Sequence, residues 1–114
     1  MKKKLGDKLR VQHILKAIDE INDYIQNQTY DDFDKKSMFR NATLKQLEII
    51  GEAANNISNN IKNLYPDIEW REMVDFRNFS IHEYFDIDPR IVWDIITIDL
   101  NNLKSKIQKI LTGF

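Results

Sequence analysis

Residues 11–25 read VQHILKAIDEINDYI, and their apolar side chains recur every three or four positions. This spacing is typical of an amphipathic helix that buries one face against a core. The stripe consists of Val11, Ile14, Leu15, Ile18, Ile21 and Ile25. We expect this first helix to begin near Asp7, a good N-cap residue, and to fade between Asn27 and Tyr30.

The same periodicity continues through the rest of the chain, which contains only three glycines and two prolines. Asp31, Asp32 and Asp34 are expected to precede a long second helix over about 35–63. A third helix should begin near Trp70 and extend towards Tyr84, and Asp88 should cap a fourth that has Pro89 in its first turn. The pattern predicts an all-α, antiparallel bundle of four to five helices.

Gly51 lies inside the predicted second helix, where a glycine costs roughly 1 kcal/mol relative to alanine. A close approach by another helix would explain this choice.

Length and composition limit the class of protein. A chain of 114 residues, 42% hydrophobic and 31% charged, fits one domain over 1–114. A core of this size is small, so pairing into a homodimer is expected. The chain has no cysteine and no apolar run long enough for a membrane span, so a cytoplasmic location without membrane contact is the default expectation.

The net charge of −1 argues against a surface that binds nucleic acid everywhere. A local basic cluster at the N-terminus is best interpreted as solvated chain; it comprises Lys2, Lys3, Lys4, Lys8 and Arg10.

The segment from Arg77 to Tyr84, RNFSIHEY, holds the groups best suited to chemistry. The His82 imidazole can accept and donate protons near neutral pH, and the Arg77 guanidinium can hold a phosphate through two hydrogen bonds. Asn78 can contact a phosphate oxygen or orient a neighbour. Such a set suits RNA cleavage without a metal.

Geometry restricts how these groups meet. Arg77 and Tyr84 share a face of a regular helix, whereas Arg77 and His82 diverge by about 140°. The pair meets only if the helix ends or distorts near His82, or if a two-fold axis brings two copies together. In the alternative structural interpretation, His82 terminates a helix, Arg77 pairs with Asp75 or Glu83, and Tyr84 covers the core.

Several separated blocks resemble HepT-type toxins of the HEPN superfamily. Arg77–Tyr84 resembles the Arg-x4-His-x-Tyr motif of these toxins, Leu47–Ala54 their second helix, Tyr65–Arg71 the lead-in to the motif helix, and Tyr84–Asp88 with Ile91–Trp93 its continuation. Ser80 departs from the family pattern, where an aliphatic residue is usual.

The resemblance implies a helical bundle that dimerises through its motif helices. It implies a metal-independent endoribonuclease with Arg77 and His82 as catalytic residues. It also implies a partner, an MntA-like nucleotidyltransferase antitoxin that transfers AMP from ATP to Tyr84. The system would be a type VII-like toxin–antitoxin pair, and the phosphate on Tyr84 would lie beside Arg77 and block RNA entry.

Other polar and aromatic residues have simpler interpretations. Glu52 and Asn55 or Asn56 can line the cleft and orient His82, or lie on solvated helix surface. His13 is expected at the surface, Trp70 and Trp93 in the core or dimer interface, and no metal or cofactor site is predicted. A second functional hypothesis, motivated by the acidic balance, is a non-catalytic nucleotide-binding or accessory subunit of a nucleotidyltransferase.

Overall fold

The computed structural model describes the backbone of residues 2–114 and the side chains of residues 6–114. Three members of the predicted basic cluster, Lys2, Lys3 and Lys4, therefore lie outside the described side chains. Of the remaining two, Lys8 is exposed and Arg10 is half-buried.

Helices make up most of the described chain, as predicted. The segments are α1 (Lys2–Ile25), α2 (Tyr30–Lys35), α3 (Ser37–Asn56), α4 (Asn59–Leu64), α5 (Trp70–His82), a 3₁₀ turn (Tyr84–Asp86), α6 (Pro89–Asp94), a π-helical turn (Ile95–Asp99) and α7 (Leu100–Thr112). Four long elements dominate, because the π turn joins α6 and α7 into one continuous helix. The all-α prediction is confirmed.

Contacts between the long helices show that neighbours run antiparallel. Asp7 of α1 meets Ser58 just after α3, while the Tyr24 hydroxyl, near the other end of α1, accepts from Gln46 within α3. The α1 and α7 helices pack together, and Lys104 bridges to Asp19 at 2.9 Å. The α5 helix packs on α3. The core lies between α1, α3 and the α6–α7 helix; its largest fully buried apolar residues are Val11, Ile14, Ile18, Ile21, Phe33, Val92, Ile96, Ile107 and Ile110.

The predicted start of the first helix is wrong. The α1 helix begins at Lys2, and Asp7 lies within it, where its buried carboxylate accepts hydrogen bonds from the Ser58 amide at 2.8 Å and the Ser58 hydroxyl at 2.6 Å. Asp7 therefore caps a distant turn, which local sequence alone does not reveal.

The predicted long second helix is correct at its start, since α3 begins at Ser37, but wrong at its end. Asp31, Asp32 and Asp34 precede α3 as predicted, but they lie in a separate short helix, α2, which a capping box between Thr29 and Asp32 starts. The helix predicted over 35–63 is interrupted at Ile57, whose backbone is extended, and Ser58 caps the separate helix α4.

The two tryptophans anchor packing, as predicted. Trp70 is buried, and its indole N–H donates to the Tyr65 carbonyl at 3.1 Å. Trp93 is half-buried and packs on Phe33 and Phe39, with ring centroids 5.4 and 6.5 Å away. The predicted cap is confirmed as well, since the Asp88 carboxylate accepts from the Arg90 amide at 2.9 Å and Pro89 is the first residue of α6.

Candidate active site

The position of Arg77 follows from Gly51. A β-carbon built on Gly51 would overlap the Arg77 β-carbon and lie 2.7 Å from the Met73 carbonyl oxygen. Only glycine lets α3 and α5 approach this closely, which confirms the predicted reason for a glycine inside the helix. The contact places the Arg77 side chain against α3.

The Arg77 guanidinium is tethered on both sides. One terminal nitrogen donates to the Glu52 carboxylate of α3, and the other donates to the Asn78 side-chain oxygen at 2.5 Å. The Arg77 side chain is 22% exposed, so the cation lies at the surface and keeps a route to ligands. Hydrogen bonding from Arg77, and then its charge, hold the pKa of Glu52 below its usual value. Glu52 is thus ionised at neutral pH and neutralises Arg77.

Glu52 contacts Arg77 and not His82, and it does so from an exposed position on α3, as one of its two interpretations expected. A further residue supports it: the Asn56 side-chain amide donates to the Glu52 carboxylate at 3.2 Å and to the Glu52 carbonyl at 2.9 Å. Asn56 was expected only as a possible cleft-lining residue. Its support of Glu52 was missed, although the i, i+4 spacing on one helix is a usable signal. Asn55 is exposed, and among the described residues its side chain has no hydrogen-bond partner.

His82 is the last residue of α5 and is exposed. The helix ends there, which is one of the two conditions under which Arg77 and His82 can serve one site. Viewed down the helix axis, one flank of α5 is about 140° wide. In order around this flank it carries Arg77, Ile81, Asn78 and His82. Apart from Arg77 these side chains are exposed, so the flank is open to solvent or to a second molecule.

Tyr84 lies in the 3₁₀ turn after α5, and its hydroxyl donates to the Asn41 side-chain oxygen of α3. Asn41 and Glu52 are eleven residues apart on α3, which places the two contacts about 16 Å apart along one side of that helix. The prediction that Tyr84 lies beside Arg77 is therefore wrong within one protomer. It assumed a helix that continues to Tyr84, whereas α5 ends at His82.

Ser80, the residue that departs from the family pattern, is buried and donates from its hydroxyl to the Arg77 carbonyl at 3.0 Å. Because that bond satisfies the hydroxyl within the helix, a serine fits where an aliphatic residue is usual. The departure therefore leaves the Arg77 side chain unaffected.

The remaining site predictions concern His13, metals and membranes. His13 is exposed on α1, as predicted. Among the described side chains of residues 6–114, no three His, Asp or Glu residues converge as a metal ligand set. In the same part of the chain, no helix combines the length and apolar character needed to cross a bilayer.

The family model described as "Ribonuclease HepT-like" matches residues 14–110, which include every helix that contacts the site. The chain belongs to the HepT-like ribonuclease family. This confirms the resemblance found in the Arg77–Tyr84 motif and the ribonuclease class that the resemblance implied. It also agrees with the all-α fold.

Relatives of the HepT-like chain span most of its length. "Probable ribonuclease HepT" of Thermococcus cleftensis is 41% identical over 102 residues, which cover 88% of this chain and 91% of the relative. A Methanocaldococcus jannaschii protein named as a candidate RNase is 35% identical over 95 residues, covering 83% and 87% of the two chains.

A longer M. jannaschii protein, whose name joins a gamma-glutamylcyclotransferase to a candidate RNase, is 34% identical over 104 residues. The alignment covers 91% of this chain and 47% of that relative. No solved structure matches the HepT-like chain.

Proposed function

We propose that this chain is the cytoplasmic toxin of a HepT/MntA-type toxin–antitoxin pair and cleaves RNA without a metal. Arg77 and His82 of two protomers would act in one cleft at a homodimer interface. The observation that carries this proposal is the open flank of α5, where Arg77, Asn78 and His82 border the same surface.

The cleavage step uses proton transfer and charge stabilisation only. The RNA 2′-oxygen attacks the adjacent phosphorus, the bond from phosphorus to the 5′-oxygen breaks, and a cyclic phosphate and a free 5′-hydroxyl result. A neutral His82 takes the 2′-hydroxyl proton, and a protonated His82 from the second protomer donates to the leaving 5′-oxygen. Arg77 binds the non-bridging oxygens, where negative charge accumulates.

Arg77 can bind phosphate without leaving its tether. A guanidinium carries five N–H donors, and the contacts to Glu52 and Asn78 use two of them. Glu52 and Asn78 thus act as positioning residues, which hold the guanidinium plane towards the flank.

Exposed apolar side chains near His82 support the pairing of two protomers. Phe79 is 47% exposed and Ile81 is 50% exposed, although both are large and lie on the motif helix. Covering them in an interface would stabilise a domain whose own core is small. Ile81 lies between Arg77 and His82 on the flank, so an interface there would bring the catalytic groups of both protomers together.

Regulation would occur at Tyr84, the motif tyrosine, which is 42% exposed. An MntA-like nucleotidyltransferase would join the Tyr84 oxygen to the α-phosphorus of ATP, with loss of the hydroxyl proton and release of pyrophosphate. Intact mass of the protein co-expressed with such a partner should show additions of AMP. Tyr84→Phe should abolish the additions, and adducts that persist in that variant would contradict this assignment.

The central experiment is incubation of the purified protein with RNA in the presence of EDTA. We expect the rate of cleavage to be unchanged by EDTA. His82→Ala should slow cleavage by about 100-fold or more, as expected for loss of a general acid–base. His13→Ala is the matched control because it removes the other histidine from an exposed position on α1. Cleavage that requires Mg²⁺, or that survives His82→Ala, would contradict the proposal.

One observation favours a second candidate function. The charge of Arg77 is already neutralised by Glu52, which weakens the stabilisation of charge that develops during cleavage. This suits an accessory subunit that binds a nucleotide through the remaining N–H donors of Arg77 and does not cleave RNA. Calorimetry with ATP, AMP and intact RNA separates the two. Tight nucleotide binding without cleavage favours the accessory subunit, and cleavage excludes it.

A further inference from the structure

Tyr84 lies on the rim of a cavity that is remote from Arg77. The cavity has a volume of about 380 Å³ and opens between the start of α3 and the 3₁₀ turn. Its apolar floor includes Phe33, Leu44 and Val92, and its rim holds Arg40, Asn41 and Phe85. We infer that this cavity is a subsite for one nucleotide of single-stranded RNA. The inference rests on the proposed RNA cleavage and extends it.

Phe85 gives the strongest indication that a ligand binds at this cavity. Its side chain is 96% exposed, yet the neighbouring Tyr84 ring packs edge-on against it, with centroids 5.3 Å apart. An exposed ring of this kind offers a free face on which a base can stack. The Tyr84 contact orders the ring in advance, which lowers the entropy lost on stacking.

Arg40 provides the charge that a phosphate needs. Its guanidinium donates to the backbone carbonyls of Phe33 and Asp34, with the Phe33 contact at 3.2 Å. Among the described residues no carboxylate lies within salt-bridge distance of Arg40, in contrast to Arg77 with Glu52 and Arg71 with Asp75. The carbonyl contacts use one terminal nitrogen and hold the side chain in place. Because carbonyl groups carry no net charge, they leave the positive charge of Arg40 without neutralisation. Asp34 also lines the cavity and opposes this charge in part.

The position of the cavity fits a strand that also reaches Arg77. The Tyr84–Asn41 contact on its rim and the Arg77–Glu52 contact lie about 16 Å apart on one side of α3. That distance corresponds to about five nucleotides at the 3.4 Å spacing of stacked bases, and to fewer when the strand is extended. A short RNA can therefore occupy both places on one protomer.

The same geometry explains how nucleotidylation would inhibit. An AMP group on the Tyr84 oxygen lies too far along α3 to neutralise Arg77 of its own protomer. It carries the base, ribose and phosphate that the cavity would accept from RNA, so it fills the subsite and displaces the strand.

The test measures binding of a fluorescent 2′-O-methyl hexaribonucleotide, which cannot be cleaved, and of the corresponding dinucleotide. Phe85→Ala should weaken hexamer binding on the order of 10-fold, from loss of one stacked base, and change dinucleotide binding much less. Met38→Ala is the matched control, because Met38 is 83% exposed on α3 near Asn41 but does not line the cavity. Free AMP should compete with the hexamer on the wild-type protein and not on Phe85→Ala.

A second variant tests the phosphate contact. Arg40→Gln should lower the slope of log affinity against log salt for the hexamer by about 0.7, the value for one phosphate on a single strand. Thermal unfolding of this variant checks that loss of the carbonyl contacts leaves the protein folded at the temperature of the assay.

Three outcomes would overturn the subsite. They are equal hexamer binding by Phe85→Ala and wild type, an equal loss in Met38→Ala, or conversion of a dimer to a monomer by Phe85→Ala. The last would show that the ring serves a protein interface. The probe cannot be cleaved, so the binding assay does not depend on nuclease activity. A protein that fails to cleave RNA can still bind the hexamer through this cavity, and the failure of one proposal is therefore distinguishable from the failure of the other.

Discussion

At the scale of single residues, the site depends on a missing side chain. Gly51 lets α5 approach α3 so closely that the Arg77 β-carbon occupies the space where a side chain would begin. The tether of Arg77 to Glu52 and Asn78 depends on that approach. Gly51 thus controls the placement of Arg77, the proposed catalytic group.

Gly51→Ala is expected to destabilise the fold by about 1–3 kcal/mol, because the overlap outweighs the roughly 1 kcal/mol by which alanine favours a helix. It should also slow RNA cleavage, since Arg77 must shift. Thermal denaturation and the cleavage assay measure the two effects. Asn55→Ala, at an exposed position of the same helix, should change neither; a Gly51→Ala protein as stable and active as wild type would refute the packing argument.

The Glu52 carboxylate lowers the net positive charge beside Arg77, so Glu52→Gln should strengthen oligonucleotide binding by about fivefold or less, as for a pair at the surface. Glu48→Gln is the matched control, because it removes the same charge one turn away, where Glu48 faces Lys45 at 3.9 Å. Equal gains in both variants would mean that net charge alone is responsible.

The pH dependence of this pair has a defined sign. The pKa of folded Glu52 is lowered by Arg77, so the pair stabilises the fold fully above the ordinary pKa near 4.5. That contribution disappears as pH falls through the lowered pKa. The melting temperature of wild type should therefore approach that of Glu52→Gln as pH falls below 4.5, and a difference that is constant with pH would contradict the pair.

At the scale of helices, the break between α3 and α4 depends on a contact from α1. The buried Asp7 carboxylate accepts from both the amide and the hydroxyl of Ser58, and the Ser58 hydroxyl accepts from the Ile61 amide at 3.4 Å. Without Asp7, the polar run from Asn55 to Asn60 has no fixed point at which to turn. This contact ends α3 and starts α4.

Asp7→Ala should cost about 1–3 kcal/mol, because it leaves the Ser58 amide and hydroxyl without their acceptor in a partly buried place. Urea unfolding followed by circular dichroism measures this change. Asp23→Ala removes an exposed carboxylate from the same helix and should stay within about 0.5 kcal/mol of wild type. A similar small change in Asp7→Ala would show that the turn forms without this contact.

At the scale of the whole molecule, the proposed cleft needs two chains, and mixing wild type with an inactive variant tests this. Unfolding and refolding wild type and His82→Ala together in equal amounts would place about half of the wild-type chains in mixed dimers, each with a single His82. Because the proposed step uses one His82 as the base and the other as the acid, these mixed dimers should be nearly inactive, and cleavage per wild-type chain should fall to about half. Cleavage per wild-type chain that does not fall, with mixed dimers confirmed by mass, would show that the two histidines do not act across an interface.

The amino-acid sequence by itself determined the helical class, the packing role of Gly51, the Asp88–Pro89 helix start and the motif that reveals the family. Each depends on spacing within one segment, because helical periodicity and capping are local properties. Residues that share a helix turn, such as Arg77 and Asn78, were also correctly associated.

Only the tertiary structure decided the contacts between segments. The Asp7–Ser58 contact, the choice of Glu52 as the partner of Arg77, and the Tyr84–Asn41 contact each join residues more than 20 positions apart. Their formation depends on how α3 packs against α1 and α5, which one-dimensional spacing does not encode. For the same reason the separation of Tyr84 from Arg77, and the cavity beside Tyr84, emerged only when the helices were assembled.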